Sequence, residues 1–491
     1  MNDRDRTLGA VGAVLRSADL LTETLGSEDV IVSGACQDSR RARPGDLFLA
    51  WRGTVADAHD FIPEAVRRGA VATVVEHAVD VDVPQLVVTD GRVAAALASA
   101  TVMGMPSKDL VTIGVTGTNG KTTTAVLIGH LLEPDLATAV IGTLGLIEDG
   151  RVRPGTEGLT TPGPVQIAVW LRELADGGKG AVVMEASSHA LEQHRLDGVG
   201  FDVGVFTNLT RDHLDYHVDF DRYFHAKARL VDLVEADGDV VVHGGDPAWA
   251  GLEVGGRRLR TYAIDGEAHL RAGELVLGAD GSAFTLTVDG DRHAVRTPLL
   301  GRYNVENALA AIGAALAASV PLASIIDRLA TAPHVSGRLE AVVTSPFTVL
   351  VDFAHTPAAL EGALAAIKPL TAGRLIVVFG AGGDRDRTKR RPMAEAVRAV
   401  ADVIVLTNDN PRTEDPQRIL DDVAEGLRGA TYERFVDRRD AIRHALEVAR
   451  PGDTVVLMGK GHETHQTIGT EKLPFDERAI VRDLLAELGI A

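Results

Sequence analysis

The chain has a single cysteine, Cys36, among 491 residues, so it can form no intrachain disulfide and nothing in it requires an oxidising compartment. The apolar neighbours of Cys36 predict a small buried side chain rather than a reactive thiol. Basic charge is also scarce: 50 Lys and Arg face 69 Asp and Glu, a formal charge of −19, which excludes the broad basic face of a general nucleic-acid binder. No segment reaches the roughly 18 consecutive apolar residues of a membrane span. The start, MNDRDRTLGAVGAVLRS, carries charges and a short mixed run but no apolar core or cleavage pattern of a signal peptide. Tandem repeats and low-complexity tracts are missing too. A soluble cytoplasmic protein without nucleic-acid or membrane partners is expected, and any anionic substrate must be met by locally gathered Arg and Lys.

Hydrophobic residues at 45% are ample for a core, and 491 residues exceed one compact domain. Residues 1–104 mix short strands (DLFLA, ATVVE) with helices (IPEAVRRGA, GRVAAALASATVMG), and GMPSK at 104–108 reads as a joint. Residues 105–333 alternate apolar strands (LATAVIGT, GAVVMEASS, FDVGVFTNL, DVVVHGGD) with helices (PVQIAVWLRELADGG, FDRYFHAKARLVDLVEADG), the pattern of a parallel sheet covered on both faces. Within it, turns at Asp280-Gly281 and Asp289-Gly290 predict antiparallel hairpins at an edge. Residues 334–491 open a second alternation (FTVLVDFA, RLIVVFGAG, DVIVLTND, DTVVLMGKG) that predicts a doubly wound, Rossmann-like unit. The fold class is α/β in three domains, with a central P-loop ATPase-like sheet.

Val111 to Thr124, VTIGVTGTNGKTTT, places a strand, a glycine loop and a Lys-Thr pair in the order that grips nucleotide phosphates. Gly117 and Gly120 can turn N–H groups toward an anion, Lys121 can reach the terminal phosphates, and the Thr122 hydroxyl suits Mg²⁺. Val115 stands where the standard spacing has its first glycine. A tight turn with a surface lysine is the plain alternative. Downstream, GAVVMEASS delivers Glu185 to a strand end, where a carboxylate can hold Mg²⁺. His213 of TNLTRDHLDYH follows the next strand into the same crevice, whereas His217 and His225 read as ordinary surface residues. On periodicity alone Lys227, in YFHAKARL, is a snorkelling surface cation.

The motifs GTNGKTT, TTP, MEASSHALEQHR, NLTRDHLDYH, HAKARL, GRYNVENALAA, SGRLE, DFAHTP, GGDRD, DNPR and GKGHE occur in the order found in Mur ligases, and the resemblance covers nearly the whole chain. It resembles the branch that adds diaminopimelate, with the meso form expected, to UDP-MurNAc-L-Ala-D-Glu in peptidoglycan precursor synthesis. The resemblance implies ATP bound by Gly117, Thr118, Asn119, Gly120, Lys121, Thr122 and Thr123, with Asn304, Asn307, Arg338 and Asp352 at its far end. It makes Lys227 a carbamylated lysine, and Thr122, Glu185, His213 and that carbamate the residues that hold Mg²⁺; Lys121, Glu185, His213 and Lys227 are then the catalytic set. A monomer is expected.

The resemblance further implies that Ser39, Thr160, Thr161, Ser187, Gln193 and Arg195 contact the UDP-sugar dipeptide. From the residues alone, Ser39 sits in a polar loop, Thr160 and Thr161 end a turn, Arg195 forms a surface ion pair and Asn304 caps a helix. Three departures from the family pattern are local: Ala58 in TVADAHDF where glycine is common, Ser336 for proline and Phe353 for tyrosine. Arg385, Asp409, Asn410, Pro411, Arg412, Gly459 and Glu463 are implied as the acceptor pocket. Diaminopimelate carries a second carboxylate, which Arg412 can hold with paired N–H bonds, while Glu463 attracts the distal ammonium. His355 is a candidate base for the incoming amine. The implied chemistry is carboxylate activation as an acyl phosphate, followed by amine attack within domains that close about a joint near residue 333. A lysine-adding Mur enzyme, a folylpolyglutamate-type ligase and a non-enzymatic nucleotide switch are the competing functions.

Overall fold

The protein, seen in a computed structural model, is described over residues 7–53, 56–133, 135–155 and 158–490. The first six residues of the N-terminal segment and Thr54 and Val55 of TVADAHDF lie outside that description.

Three main sheets follow one another along the chain. The first has the order Leu21–Leu25, Gln85–Val88, Ala72–Val75, Asp46–Leu49, Gly34–Cys36, parallel except for its first strand. Helices Leu8–Ser17 and Gly91–Val102 cover one face through Leu8, Val11, Leu15, Ala94 and Ala98. Cys36 is buried, as its neighbours predict.

Among the described residues the central sheet has eleven strands. Its parallel middle runs Val234–His243, Phe201–Phe206, Val111–Thr116, Ala181–Glu185, Thr138–Gly142. These strands bury both faces, which is why they read as unbroken apolar runs. Ile113, Val115 and Val183 pack under helices Lys121–Leu132 and Arg302–Ala317, while Val182 and Met184 pack against Pro164–Asp176 and Phe220–Leu233. Burial of each such side chain contributes about 1.5–3 kcal/mol relative to exposure. The expected hairpins are the antiparallel strands Leu270–Gly278, Gly281–Val288 and Asp291–Thr297 at one edge. The helix expected over FDRYFHAKARLVDLVEADG stops at Leu233, because Val234 already pairs with Phe201 as the start of the next strand.

The C-terminal sheet is ordered Glu340–Val343, Thr348–Asp352, Thr454–Met458, Leu375–Phe379, Val403–Leu406, Glu433–Arg434. Alternation splits its strands between two cores: Leu375, Val377 and Phe379 face Pro357–Ile367, Arg390–Arg398 and Pro416–Ala424, and Ile376 and Val378 face Arg438–Val448 and Glu477–Leu488. Beneath the strand ends lies a fully buried ion pair, Arg438 Nε to Glu477 Oε1 at 2.7 Å. Arg438 also donates to the carbonyls of Asn408 (3.1 Å) and Met458 (2.8 Å), the residues that lead into DNPR and GKGHE. Arg438→Met strands the Glu477 charge and is expected to cost about 3–5 kcal/mol, read as a lowered urea midpoint; a midpoint equal to wild type would show the pair to be dispensable.

Candidate functional site

The central strand Val111–Thr116 ends in a loop that only glycine permits at two points: φ is +138° at Gly117 and +84° at Gly120. A Cβ at Gly117 would strike Thr207, and one at Gly120 would strike Asn307. No side chain caps the helix that starts at Lys121, so its first N–H groups are left for a ligand. Lys121 Nζ folds back onto the carbonyls of Gly117 (3.0 Å) and Thr118 (2.9 Å). Burial pushes its pKa down, against the pull of Glu185 and Asp212.

Thr122 Oγ1 donates to Glu185 Oε2 at 3.0 Å, and Glu185 Oε1 accepts the Thr143 N–H at 2.8 Å. Among the described residues no three His, Cys, Asp or Glu side chains gather as a metal cage. One carboxylate beside one hydroxyl at a phosphate loop is nonetheless a donor set suited to Mg²⁺, which takes its remaining ligands from phosphates and water. His213 lines the cavity onto which Thr122 and Glu185 also open. Burial above all lowers its pKa to about 3, so the imidazole is neutral and able to bind a cation.

Lys227 is not the snorkelling cation of the periodicity argument. It is 1% exposed, beneath the loop, and its Nζ donates to Gly117 O at 2.7 Å. Burial, then the nearby Lys121, holds its pKa well below the ordinary value. His217 likewise is buried rather than on the surface, with Nε2 at 3.0 Å from Ser188 Oγ and its ring against His189 of the short helix Ser188–Glu192.

A cavity of about 290 Å³ joins this loop to the C-terminal sheet. Thr118 to Thr122, Thr160, Glu185 and His213 face it from one side, and Arg338, His355, Arg385, Asp409, Asn410, Arg412, Gly459 and Glu463 from the other. Pro411 is not on its wall, but its carbonyl packs against Gly383. The two sides touch: Arg338 Nη2 donates to Thr122 Oγ1 at 3.3 Å, and the buried Lys389 and Asp212 pair at 3.2 Å. Lys389 holds Asp212 ionised against its burial. His355 is half-buried, its pKa lowered chiefly by desolvation, with Nδ1 at 2.8 Å from Phe353 O.

Beside it a second cavity, of about 450 Å³, is lined by Asn119, Gly120, Thr123, Tyr303, Glu306, Asn307, Arg338 and Asp352. Asn304 is not on its wall; its Nδ2 donates to Leu300 O at 2.8 Å, and its Oδ1 accepts from Asn307 at 3.0 Å. Nor does Asn304 cap the helix, because Gly301 takes that position three residues earlier. Both Asp352 oxygens accept backbone N–H bonds, from Leu339 and Ala354.

A third cavity, of about 760 Å³, opens between the first two sheets and is lined by Arg41, Arg43, Arg92, Gln193 and Arg195 among others. Among the described residues Arg195 forms no ion pair; its Nη1 donates to Thr161 O at 2.9 Å, and the Thr161 hydroxyl donates to Glu185 O at 2.6 Å. Ser187 Oγ caps the following helix and lies 3.2 Å from Thr161 Oγ1. Ser39 is turned away from the cavity, its hydroxyl donating to Glu64 Oε2 at 3.0 Å. Sequence reasoning passed over Thr143, Lys389, Arg43 and Arg92, each a single polar residue outside the ordered motifs, and within GRYNVENALAA it singled out the asparagines but not Tyr303 and Glu306.

Residues 115–315 match the family described as Mur ligase middle domain, 337–461 the Mur ligase, glutamate ligase domain, and 32–112 the Mur ligase family, catalytic domain. The chain is 40% identical over 471 residues to the UDP-N-acetylmuramoyl-L-alanyl-D-glutamate--2,6-diaminopimelate ligase of Gloeobacter violaceus, covering 95% of this chain and 96% of that protein. A solved structure of a ligase of the same name is 33% identical, with a TM-score of 0.67 over 95% of this chain and 98% of that one. MurF ligase from Thermotoga maritima in complex with ADP, at 18% identity and a TM-score of 0.66 over 94% and 98%, shares the fold.

Proposed function

The chain belongs to the Mur ligase family, and from that premise we propose that it joins diaminopimelate to the D-glutamate carboxylate of UDP-MurNAc-L-Ala-D-Glu, using ATP. The observation that carries this reading is the single cavity walled by the phosphate loop and Glu185 on one side and by Arg385, Arg412 and Glu463 on the other. A phosphate donor and a charged amino acid meet there.

The nucleotide lies along Gly117 to Thr123, with its base end in the neighbouring cavity beside Asn307 and its ribose near Asp352. Asn304 acts through its bond to Asn307. The arginines of the large cavity suit a UDP diphosphate, and Arg195, Thr161 and Ser187 lead the dipeptide toward Glu185. Thr122 and Glu185, with His213 and a carbamylated Lys227, are the residues that would hold Mg²⁺, which when bound offsets phosphate charge during transfer. Lys121 exchanges its carbonyl partners for phosphate oxygens. The dipeptide carboxylate attacks the γ-phosphate and ADP leaves; the neutral amine of diaminopimelate then attacks the carbonyl of the acyl phosphate, and phosphate and a proton leave as the amide forms. Closure of the C-terminal unit about the segment near residue 333, through Lys389–Asp212 and Arg338–Thr122, keeps water from the acyl phosphate.

Substrate labelled with heavy oxygen in the D-glutamate side-chain carboxylate tests the step: the label is expected in released phosphate. Unlabelled phosphate would refute carboxylate activation by phosphoryl transfer.

A further inference from the structure

The acceptor loops contain a buried cation that the proposed chemistry leaves without a role. Lys460 is 0% exposed. Its Nζ donates to Glu463 Oε2 at 2.8 Å and to Asn410 Oδ1 at 3.2 Å. Asn410 Nδ2 donates to the same Glu463 oxygen at 2.9 Å. The three side chains therefore close a ring between DNPR and GKGHE, with the Phe475 ring 5.9 Å from the ammonium on another side. Both bonds to the carboxylate end on Oε2, which leaves Oε1 for a ligand in the cavity that Glu463 lines.

A plain structural ion pair does not account for the arrangement. Burying an ammonium costs several kcal/mol before any gain from its partner, and these loops are already tied by other bonds. Gln466 Nε2 donates to Asp409 O at 2.7 Å, Arg412 N–H to Thr467 O at 3.1 Å, and Thr467 N–H to Asn410 Oδ1 at 2.8 Å. What Lys460 adds is charge, and it adds it to Glu463.

Resting on the function proposed above, we infer that Lys460 is a specificity-determining positioning residue that neutralises and orients Glu463, so that the acceptor's distal end is recognised as a paired ammonium and carboxylate. An unpaired Glu463 would draw in any distal cation, including that of lysine. With Lys460 bonded to it, the charge at that end is set by Arg412 and Arg385, which favour a carboxylate and repel a lone ammonium. Selectivity is thus obtained partly by repulsion, through a residue that does not touch the substrate.

The test is steady-state kinetics of the full-length protein and its Lys460→Met and Lys460→Gln variants, with diaminopimelate and L-lysine as acceptors. Lys460→Met should raise the diaminopimelate KM at least about ten-fold and shrink the kcat/KM preference over lysine by at least about ten-fold. The ATP and UDP-dipeptide KM values should stay within about two-fold. Lys460→Gln keeps a donor in the ring without the charge, so it should fold if the Met variant does not, and should lose the same discrimination. Unchanged discrimination in a folded variant, or equal rises in all three KM values, overturns the inference while leaving the function intact. A wild-type protein that makes no product with diaminopimelate overturns both.

Discussion

Lys227→Ala is expected to lower the rate of ATP-dependent product formation on the order of a hundred- to a thousand-fold, the scale of losing one preorganised charge-stabilising group. High bicarbonate should not restore it. The amine is buried, donates to Gly117 O at 2.7 Å and lies 4.6 Å from the centre of the Tyr223 ring. No carboxylate pairs with it among the described residues, and burial followed by Lys121 lowers its pKa. A neutral amine is the form that adds to CO₂, and a carbamate formed there would place an anion behind the phosphate loop. Alanine cannot make that adduct, whatever the bicarbonate concentration. Turnover near the wild-type rate in a folded Lys227→Ala protein would remove the carbamate from the mechanism.

Arg412→Ala should raise the acceptor KM by roughly thirty-fold or more, since truncating one partner of a desolvated charge pair costs about 2–5 kcal/mol. The ATP KM should move by less than about two-fold. The side chain is held from both ends. Its backbone sits at φ +51°, donates to Thr467 O at 3.1 Å and accepts from Gly469 at 2.7 Å, and its Nη1 donates to Gly383 O at 2.7 Å. Burial and then the adjacent Arg385 disfavour its charge, and an incoming carboxylate relieves both. Equal effects on acceptor and nucleotide would indicate a loop-holding role instead.

These two residues differ in how far sequence reveals them. Arg412 is legible because DNPR follows a strand at the carboxyl edge of a parallel sheet, where ligands bind. Lys227 is not: helical periodicity records an apolar flank, but the burial that lowers its pKa comes from a loop at Gly117, more than a hundred residues earlier. The phosphate loop is legible in full, since strand, glycines and helix start are consecutive. The strand beginning at Val234 was hidden because its first residues continue the helical pattern, and only pairing with Phe201 decides the boundary. Asn304 carries a capping residue type, yet Gly301, with φ +85°, starts the helix first and leaves Asn304 to brace Asn307. Lys389 and Thr143 carry no local signal, and Lys460, although inside GKGHE, shows its partners only in the fold, because each acquires its meaning from contacts that tertiary structure supplies.

The central claim is the choice of acceptor, and its most direct measurement is ATP-dependent amide formation with UDP-MurNAc-L-Ala-D-Glu and, in turn, separated diaminopimelate isomers, L-lysine and L-glutamate, with the product identified by mass spectrometry. The account predicts a tripeptide product with diaminopimelate and little with lysine or glutamate. A lysine product with none from diaminopimelate would contradict it.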